Sequence, residues 1–222
     1  MLRYLEFDHR FFKRPCYRLR PKISEAEWSQ FEQFACREPI FADLKAPASD
    51  LETARNALQR SFRKICTQVE LVHNLAQVEP VDAVIFCDHF ELTDDQQRAH
   101  AEHFQIGRLR QDPLVPTKVA IDLYVAWIAN SLSGGKRVAT LDTNFCSFAD
   151  LEAVRYIDLL SVLHKGHGYA TRLLKAVAYE AKSRRLREVV VITEVENEAS
   201  LNAYKAAGFN IRSFTSAFHF KN

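Results

Sequence analysis

The run Val162-Leu163-His164-Lys165-Gly166-His167-Gly168-Tyr169-Ala170-Thr171-Arg172-Leu173-Leu174 sets two closely spaced glycines between a strand-like apolar segment and a helix-like amphipathic one. Few folds use that order. A turn entering a helix presents unpaired backbone N–H groups at the positive end of the helix dipole, which together make an anion site. A phosphate-bearing ligand is the direct physical inference. Gly166 and Gly168 let the backbone approach a pyrophosphate closely, and Ala170 is too small to obstruct it. Lys165 adds a charge-assisted contact at the rim. A tight strand-to-helix turn with no ligand uses the same residues, so the surrounding sequence has to decide.

Two nucleotide-binding motifs fail on context. A dinucleotide fingerprint calls for glycine or alanine where Thr171 stands and opens a domain, whereas only one more strand, helix and strand follow this turn. A P-loop is absent too, because Gly135-Lys136 is followed by Arg137 and lacks the earlier glycine.

The elements around the turn are legible. The stripe Leu173, Leu174, Val177, Ala178 and Ala181 predicts an amphipathic helix over Thr171 to Arg184, followed by a strand at Val189 to Thr193. Asn197 predicts the cap of a short helix that Gly208 ends, and the alternation Phe214, Ser216, Phe218, Phe220 predicts a last half-buried strand. Upstream, Thr93 opens a polar helix, on which His100 and His103 are expected to be exposed. A helix from Pro116 to Leu132 is stopped by Ser133-Gly134-Gly135, with Tyr124 and Trp127 at core-like spacing. Strands are expected over Arg137 to Asp142, Cys146 to Val154 and Arg155 to Leu163.

In the first part, strands are expected at Leu2 to Phe7, Tyr17 to Leu19 and Val81 to Phe86, with a strand or hairpin over Phe62 to Leu75. Ser24 with Glu27 forms a capping-box signature for a helix carrying Trp28, Phe31, Phe34 and Ala35, and Asp50 caps a second helix to about Arg60. The stretches Asp50 to Phe62 and Asn197 to Phe209 echo each other as cap, short helix, phenylalanine and strand, with Ala57 in the place of Tyr204. The division read from this pattern is a small α/β domain over 1–78 and a second domain over 79–222.

Composition excludes several classes. Net charge is +2, far from the one-faced basic excess of a nucleic-acid binder. The first twenty residues mix six arginines and lysines with aromatics, so neither a signal peptide nor a spanning helix is expected. The cysteines are single and dispersed (Cys16, Cys36, Cys66, Cys87, Cys146), reading as reduced thiols of a cytoplasmic protein with no zinc motif. His164 and His167 lack a third ligand nearby, and no metal is expected.

Lys165-Gly166-His167-Gly168-Tyr169-Ala170 resembles the Q/R-x-x-G-x-G/A signature of the GNAT N-acetyltransferase superfamily, with lysine in the Gln/Arg position. The run from Val195 to Phe209 resembles that superfamily's last motif, in which an asparagine (Asn197) precedes a tyrosine (Tyr204) by seven residues and Gly208-Phe209 closes the helix. Gly107 to Pro113, then Tyr124, Trp127, Asn130 and Ser131, is similar to the region before the core strands in the TDP-fucosamine acetyltransferase branch.

The resemblance implies a C-terminal GNAT-type mixed, mostly antiparallel sheet flanked by helices, behind a smaller N-terminal α/β domain. It implies an acetyl-CoA-dependent N-acetyltransferase acting on the primary amine of a small acceptor, an amino-sugar nucleotide such as a TDP-4-amino-4,6-dideoxy sugar. An amino acid, a polyamine or a protein N-terminus as acceptor, and a non-catalytic acyl-CoA-binding module, are the competing readings. The implied coenzyme contacts are Leu163, His164, Lys165, Gly166, His167, Gly168, Tyr169, Ala170 and Asn197, with backbone N–H groups near Val162 and Leu163 on the thioester carbonyl. Tyr204 is the implied acid for the departing sulfur, and Asp158 and Glu194 are base candidates beside a water chain. Arg108 and Arg110 are candidates for an acceptor's phosphates. The resemblance allows a homodimer and implies no nucleic-acid or membrane partner.

Overall fold

A computed structural model describes residues 2–222. In chain order the elements are β1 (Leu2–Tyr4), α1 (Glu6–Phe12), β2 (Cys16–Leu19), α2 (Glu25–Ala35), β3 (Phe41–Pro47), α3 (Leu51–Gln59), β4 (Arg63–His73) and β5 (Ile85–Cys87). They continue as α4 (Asp94–His103), α5 (Arg108–Gln111), α6 (Thr117–Leu132), β6 (Arg137–Leu141), β7 (Asn144–Leu151), β8 (Val154–Ser161), α7 (Tyr169–Ser183), β9 (Glu188–Glu194), α8 (Glu198–Ala206) and β10 (Asn210–Lys221).

The chain gathers into two compact units. The first takes the residues up to Gln68, Ile106–Leu123 and Ser213–Asn222, and the second takes Val69–Gln105 and Tyr124–Arg212. The elements β4, α6 and β10 therefore each give residues to both units.

In the first unit β1 pairs antiparallel with β2, β2 parallel with β3, and β3 antiparallel with β10, from Phe41↔Lys221 to Pro47↔Thr215. Trp28 and Phe31 on α2 pack with Leu19, Leu44, Phe62 and Phe218 as its core. The helix that carries them starts at the expected capping box, with Ser24 and Glu27 bonding each other's backbone N–H. Three elements were not visible in the sequence: α1, β3 and the single-turn α5, which lies in a stretch expected to be loop. The expected strand Leu2 to Phe7 stops at Tyr4, because Phe7 and Phe11 pair at helical spacing, with ring centroids 5.4 Å apart. Glu6 and Asp8 at its start and His9 and Arg10 at its end suit a helix dipole. β3 is buried almost throughout, so neither period of two nor of 3.6 marks it.

In the second unit β5, β6, β7 and β8 form an antiparallel run, and β8 pairs parallel with β9. Pairing across the chain is thus mostly antiparallel, with helices packed on the sheet. The expected strand Val81 to Phe86 shortens to Ile85–Cys87. α7 packs on β6, β7, β8 and β9 through the predicted stripe, and Leu173, Leu174, Val177, Ala178 and Ala181 are all fully buried. Each Leu or Val so buried contributes about 1.5–3 kcal/mol. The two echoing segments fold alike: Asp50 caps α3 and Asn197 caps α8, and Ser61 (φ 63°) and Gly208 (φ 92°) both take the left-handed conformation before their phenylalanines.

Candidate active site

The site is built where β8 parts from β9. These strands pair only at Val154↔Glu188, Arg155↔Val189 and Tyr156↔Val190, so the rest of β8 diverges from β9. Just past the last pair, the β7–β8 register shifts: Ser147 faces Leu159 and Phe148 faces Ile157, leaving Asp158 as the extra residue of a bulge. Bulges bend and re-aim a strand, which is what the divergence requires. Asp158 Oδ2 accepts hydrogen bonds from Trp127 Nε1 (3.0 Å) and Ser131 Oγ (2.6 Å) and pairs with the Lys136 ammonium. Its carboxylate is held by α6 and the residues after it.

On the paired side of the bulge, Arg155 is fully buried, with its guanidinium 4.1 Å from the Phe148 ring centroid. It donates to both oxygens of Asp150 (2.7 and 2.9 Å) and to the carbonyl of Val177 (3.1 Å), and pairs with Glu180. β8 is thereby fixed to α7, the helix that the chain enters after leaving β8. Burial works against charge on Asp150, but Arg155 outweighs it and holds the carboxyl below its usual range.

The glycine turn leads directly into α7. Gly166 (φ 84°) and Gly168 (φ 73°) are left-handed, and a Cβ on either would meet no atom within 4 Å. Gly168 is the N-cap of α7 and offers no side chain to the helix's free N–H groups. His164, Lys165 and His167 are exposed, and Tyr169 and Ala170 half-buried. His167 donates from Nδ1 to the carbonyl of Lys165 (3.0 Å), bracing the turn from within. The nine sequence-predicted coenzyme contacts fall in two groups: Leu163 to Ala170 are one continuous surface, and Asn197 stands apart at the end of β9.

Asn197 caps α8 by accepting from Ser200 N–H (3.3 Å), and its Nδ2 donates to Thr193 Oγ1 (3.2 Å). It ties the end of β9 to α8. Tyr204, about two turns further on, is 5% exposed, and its ring centroid is 5.7 Å from that of Phe209. Its hydroxyl forms no hydrogen bond with another described residue. Burial pushes its pKa well above the usual value, and Cys146 and Glu194 push it further the same way. The group is a neutral donor at any ordinary pH. Glu194 itself is buried at the end of β9.

Sequence reasoning missed three residues. Leu163 N–H donates to Asn144 Oδ1 (3.0 Å), so that N–H is engaged within the protein. Ser161 Oγ lies 2.7 Å from Nδ1 of His100, and His100 is fully buried rather than exposed. α4 has no apolar stripe, so the residue it buries is a histidine flanked by Ala99 and Ala101, and that pair of alanines was the available signal. His103 is exposed as expected. Tyr124 is buried and Trp127 half-buried, stacked at 5.9 Å.

Arg108 belongs to a buried network of the first unit. Its Nη1 donates to His219 Nε2 (3.1 Å) and lies 3.7 Å from Asp43 Oδ2, which also accepts from Arg18 Nε (2.8 Å). His219 Nδ1 donates to Asp112 Oδ2 (2.7 Å), so the imidazole is neutral. Arg110 donates to the carbonyl of Thr117 (3.4 Å).

Among the described residues, no group of three or more His, Cys, Asp or Glu could hold a metal ion. No helix among them is long and apolar enough to cross a membrane.

Residues 123–209 match the model of the acetyltransferase (GNAT) family. A 56-residue stretch is 39% identical to N-alpha-acetyltransferase 30 of Schizosaccharomyces pombe, covering 24% of this chain and 37% of that protein. The corresponding protein of Saccharomyces cerevisiae is 38% identical over 56 residues, and this chain spans only about a third of the length of either relative. A GCN5-related N-acetyltransferase from Sphaerobacter thermophilus superposes over 99% of this chain and 76% of its own, with TM-score 0.61 and 15% identity. A tandem GNAT protein from the clavulanic acid biosynthesis pathway superposes over 94% and 75%, with TM-score 0.56 and 15% identity. The parted strands, the glycine turn at a helix N-terminus and these likenesses agree: residues 123–209 match the acetyltransferase (GNAT) family model, on a chain with the fold of the GCN5-related N-acetyltransferases.

Proposed function

We propose that the protein transfers an acetyl group from acetyl-CoA to the primary amine of a small acceptor, by direct attack in a ternary complex. The observation that carries this is the α7 N-terminus, uncapped by any side chain and led in by two left-handed glycines, set beside the divergence of β8 from β9. Free N–H groups and the helix dipole suit a pyrophosphate, and parted strands leave backbone donors for the arm that follows it.

In this reading the turn from His164 to Ala170 takes the phosphates, with Lys165 at the rim. Asn197 orders the end of β9 beside the pantetheine arm. With Leu163 N–H engaged by Asn144, the thioester carbonyl falls to the N–H of Val162. The amine attacks the carbonyl carbon, the C–S bond breaks, and the Tyr204 hydroxyl hydrogen-bonds the departing sulfur. A thiol has pKa about 8.5 against about 10 for free tyrosine, and burial raises Tyr204 further. The hydroxyl therefore stabilises the thiolate mainly as a donor, and water completes the proton transfer. The amine's proton leaves to Glu194 or to water, since Asp158 is committed to Trp127, Ser131 and Lys136.

The acceptor we infer is an amino-sugar nucleotide, on the sequence likeness of the region before β6. A second reading, a protein N-terminus, is supported by the identity to the two yeast N-alpha-acetyltransferases. Acetyl transfer is assigned to 79–222, and 1–78 is assigned no catalytic group. Cytoplasmic siting belongs to the same proposal, as does a homodimer as the working assembly.

Thiol release from acetyl-CoA with a panel of TDP-amino sugars, free amines and peptides with open N-termini tests both readings. Release with the sugars alone supports the first and release with the peptides alone the second. No acetyl-CoA binding by calorimetry overturns the proposal altogether.

A further inference from the structure

α4 lies before residues 123–209, yet one of its side chains reaches the end of β8. The His100 ring is fully buried and meets Phe145 edge-on at 5.1 Å. Its Nε2 is 3.0 Å from the carbonyl of Thr143, and its Nδ1 is 2.7 Å from Ser161 Oγ. A carbonyl only accepts, so Nε2 carries the proton. Nδ1 is then a bare lone pair, and the Ser161 hydroxyl donates to it. Burial pushes the ring down to about 4, so this neutral form is the one present at neutral pH.

Ser161 is the last residue of β8, well past the last pair with β9. Beyond it, Leu163 N–H donates to Asn144 Oδ1 (3.0 Å), while Asn144 Nδ2 donates to the carbonyl of Leu141 (3.1 Å). Thr143 and Asn144 both belong to the tight β6–β7 connection. A strand end that has left its neighbour no longer has that edge of its ladder to orient its peptides. Here two clamps replace it, His100 on Ser161 and Asn144 on Leu163, and Val162 lies between them.

We propose that His100 is a positioning residue for acetyl transfer: through the Ser161 hydroxyl it fixes the peptide of Val162 in the orientation that meets the thioester carbonyl. The proposal rests on the acetyl-CoA reading above. Donors of this kind act because they are aimed before charge develops, and losing one outright costs roughly 10²–10³ in rate. A donor left in place but poorly aimed costs less, roughly 10- to 100-fold.

The test uses the full chain and acetyl-CoA labelled with ¹³C at the thioester carbonyl. In the wild type, infrared spectra should show the bound carbonyl band displaced to lower wavenumber than in free acetyl-CoA. In Ser161→Ala the band should return toward the free position, with kcat lower by roughly 10- to 100-fold and KM for acetyl-CoA within about threefold. His100→Ala should behave alike, and the double variant no worse than either single one, because both break the same link. His100→Asn, which restores an acceptor near the place of Nδ1, should recover part of the shift. Should His100→Ala fail to fold, Ser161→Ala loses a single oxygen and carries the test alone. A Ser161→Ala protein with wild-type kcat and the band at its wild-type position would overturn the proposal while leaving the acetyltransferase reading intact. A wild type that binds no acetyl-CoA would overturn both.

Discussion

A Cβ placed on Gly208 would lie 2.8 Å from Nε2 of His73, too close for any real side chain. The ring has little room to retreat, because its Nδ1 accepts the N–H of Leu75 (3.0 Å) and its face meets Phe209 at 5.3 Å. Gly208 also stands at φ 92°, where an L side chain costs about 1–2 kcal/mol by itself. Gly208→Ala should therefore lower stability by about 2–4 kcal/mol once the displaced imidazole is included. Urea unfolding of both proteins measures it, and a loss below about 1 kcal/mol would show that His73 moves freely.

Tyr204→Phe keeps the ring's packing against Phe209 and removes only the hydroxyl. The expected result is a kcat lower by roughly 10²–10⁴ with acetyl-CoA affinity little changed. The deficit should shrink for an acyl donor whose leaving thiol is more acidic. A Tyr204→Phe enzyme with wild-type kcat, when chemistry limits turnover, would falsify the leaving-group role and leave Tyr204 as a core residue.

Gly168→Val tests the phosphate site. The space at its Cβ is open, so the fold should survive with the strain of one left-handed branched residue, about 1–2 kcal/mol. Acetyl-CoA affinity should fall by roughly 10-fold or more, the equivalent of one lost charge-assisted hydrogen bond. Calorimetry on a mutant shown to be folded decides, and unchanged affinity would mean that the phosphates lie elsewhere.

Acid should weaken the second unit through His100. Burial lowers its pKa most, and His103 lowers it further, against a smaller opposing effect of the Thr143 carbonyl. The unfolded chain protonates this ring below pH about 6.5, whereas the folded chain resists until about 4. The ring's contribution is thus complete above pH 6.5 and lost as pH falls toward 4, with a total of order 3 kcal/mol. Stability measured by urea at several pH values should fall more gently in His100→Gln than in the wild type over that window. Parallel curves would place the acid sensitivity elsewhere.

What the sequence disclosed follows from how local the cause is. The capping box at Ser24 is complete in four residues and closes as read, and Thr93, read as the start of a helix, caps it with Gln96 as its partner. The stripe of α7 and the left-handed glycines around it are likewise local, and with them the mixed sheet and its flanking helices were legible. β3 was not, since a strand buried on both faces carries no alternation, and α1 was not, since its helical pairing rests on Phe7 and Phe11 alone. His100 escaped for a different reason: its partners, Thr143 and Ser161, are distant in sequence, and on a polar helix only the flanking Ala99 and Ala101 mark it for burial. The partners of Arg108, His219 and Asp43, are likewise far away in sequence and left no local mark.

β3 finds its antiparallel partner in β10, so Phe41 waits for Lys221. A ribosome delivers the first long before the second. The first unit therefore cannot finish its sheet until β10 has been made, whereas Val69–Arg212 already supplies every strand of the second unit. Maturation should thus run against the direction of synthesis, with the amino-terminal strands the last to be sealed. A stop codon placed shortly before Ser213 would injure the beginning of the protein more than the α7 region made just before it.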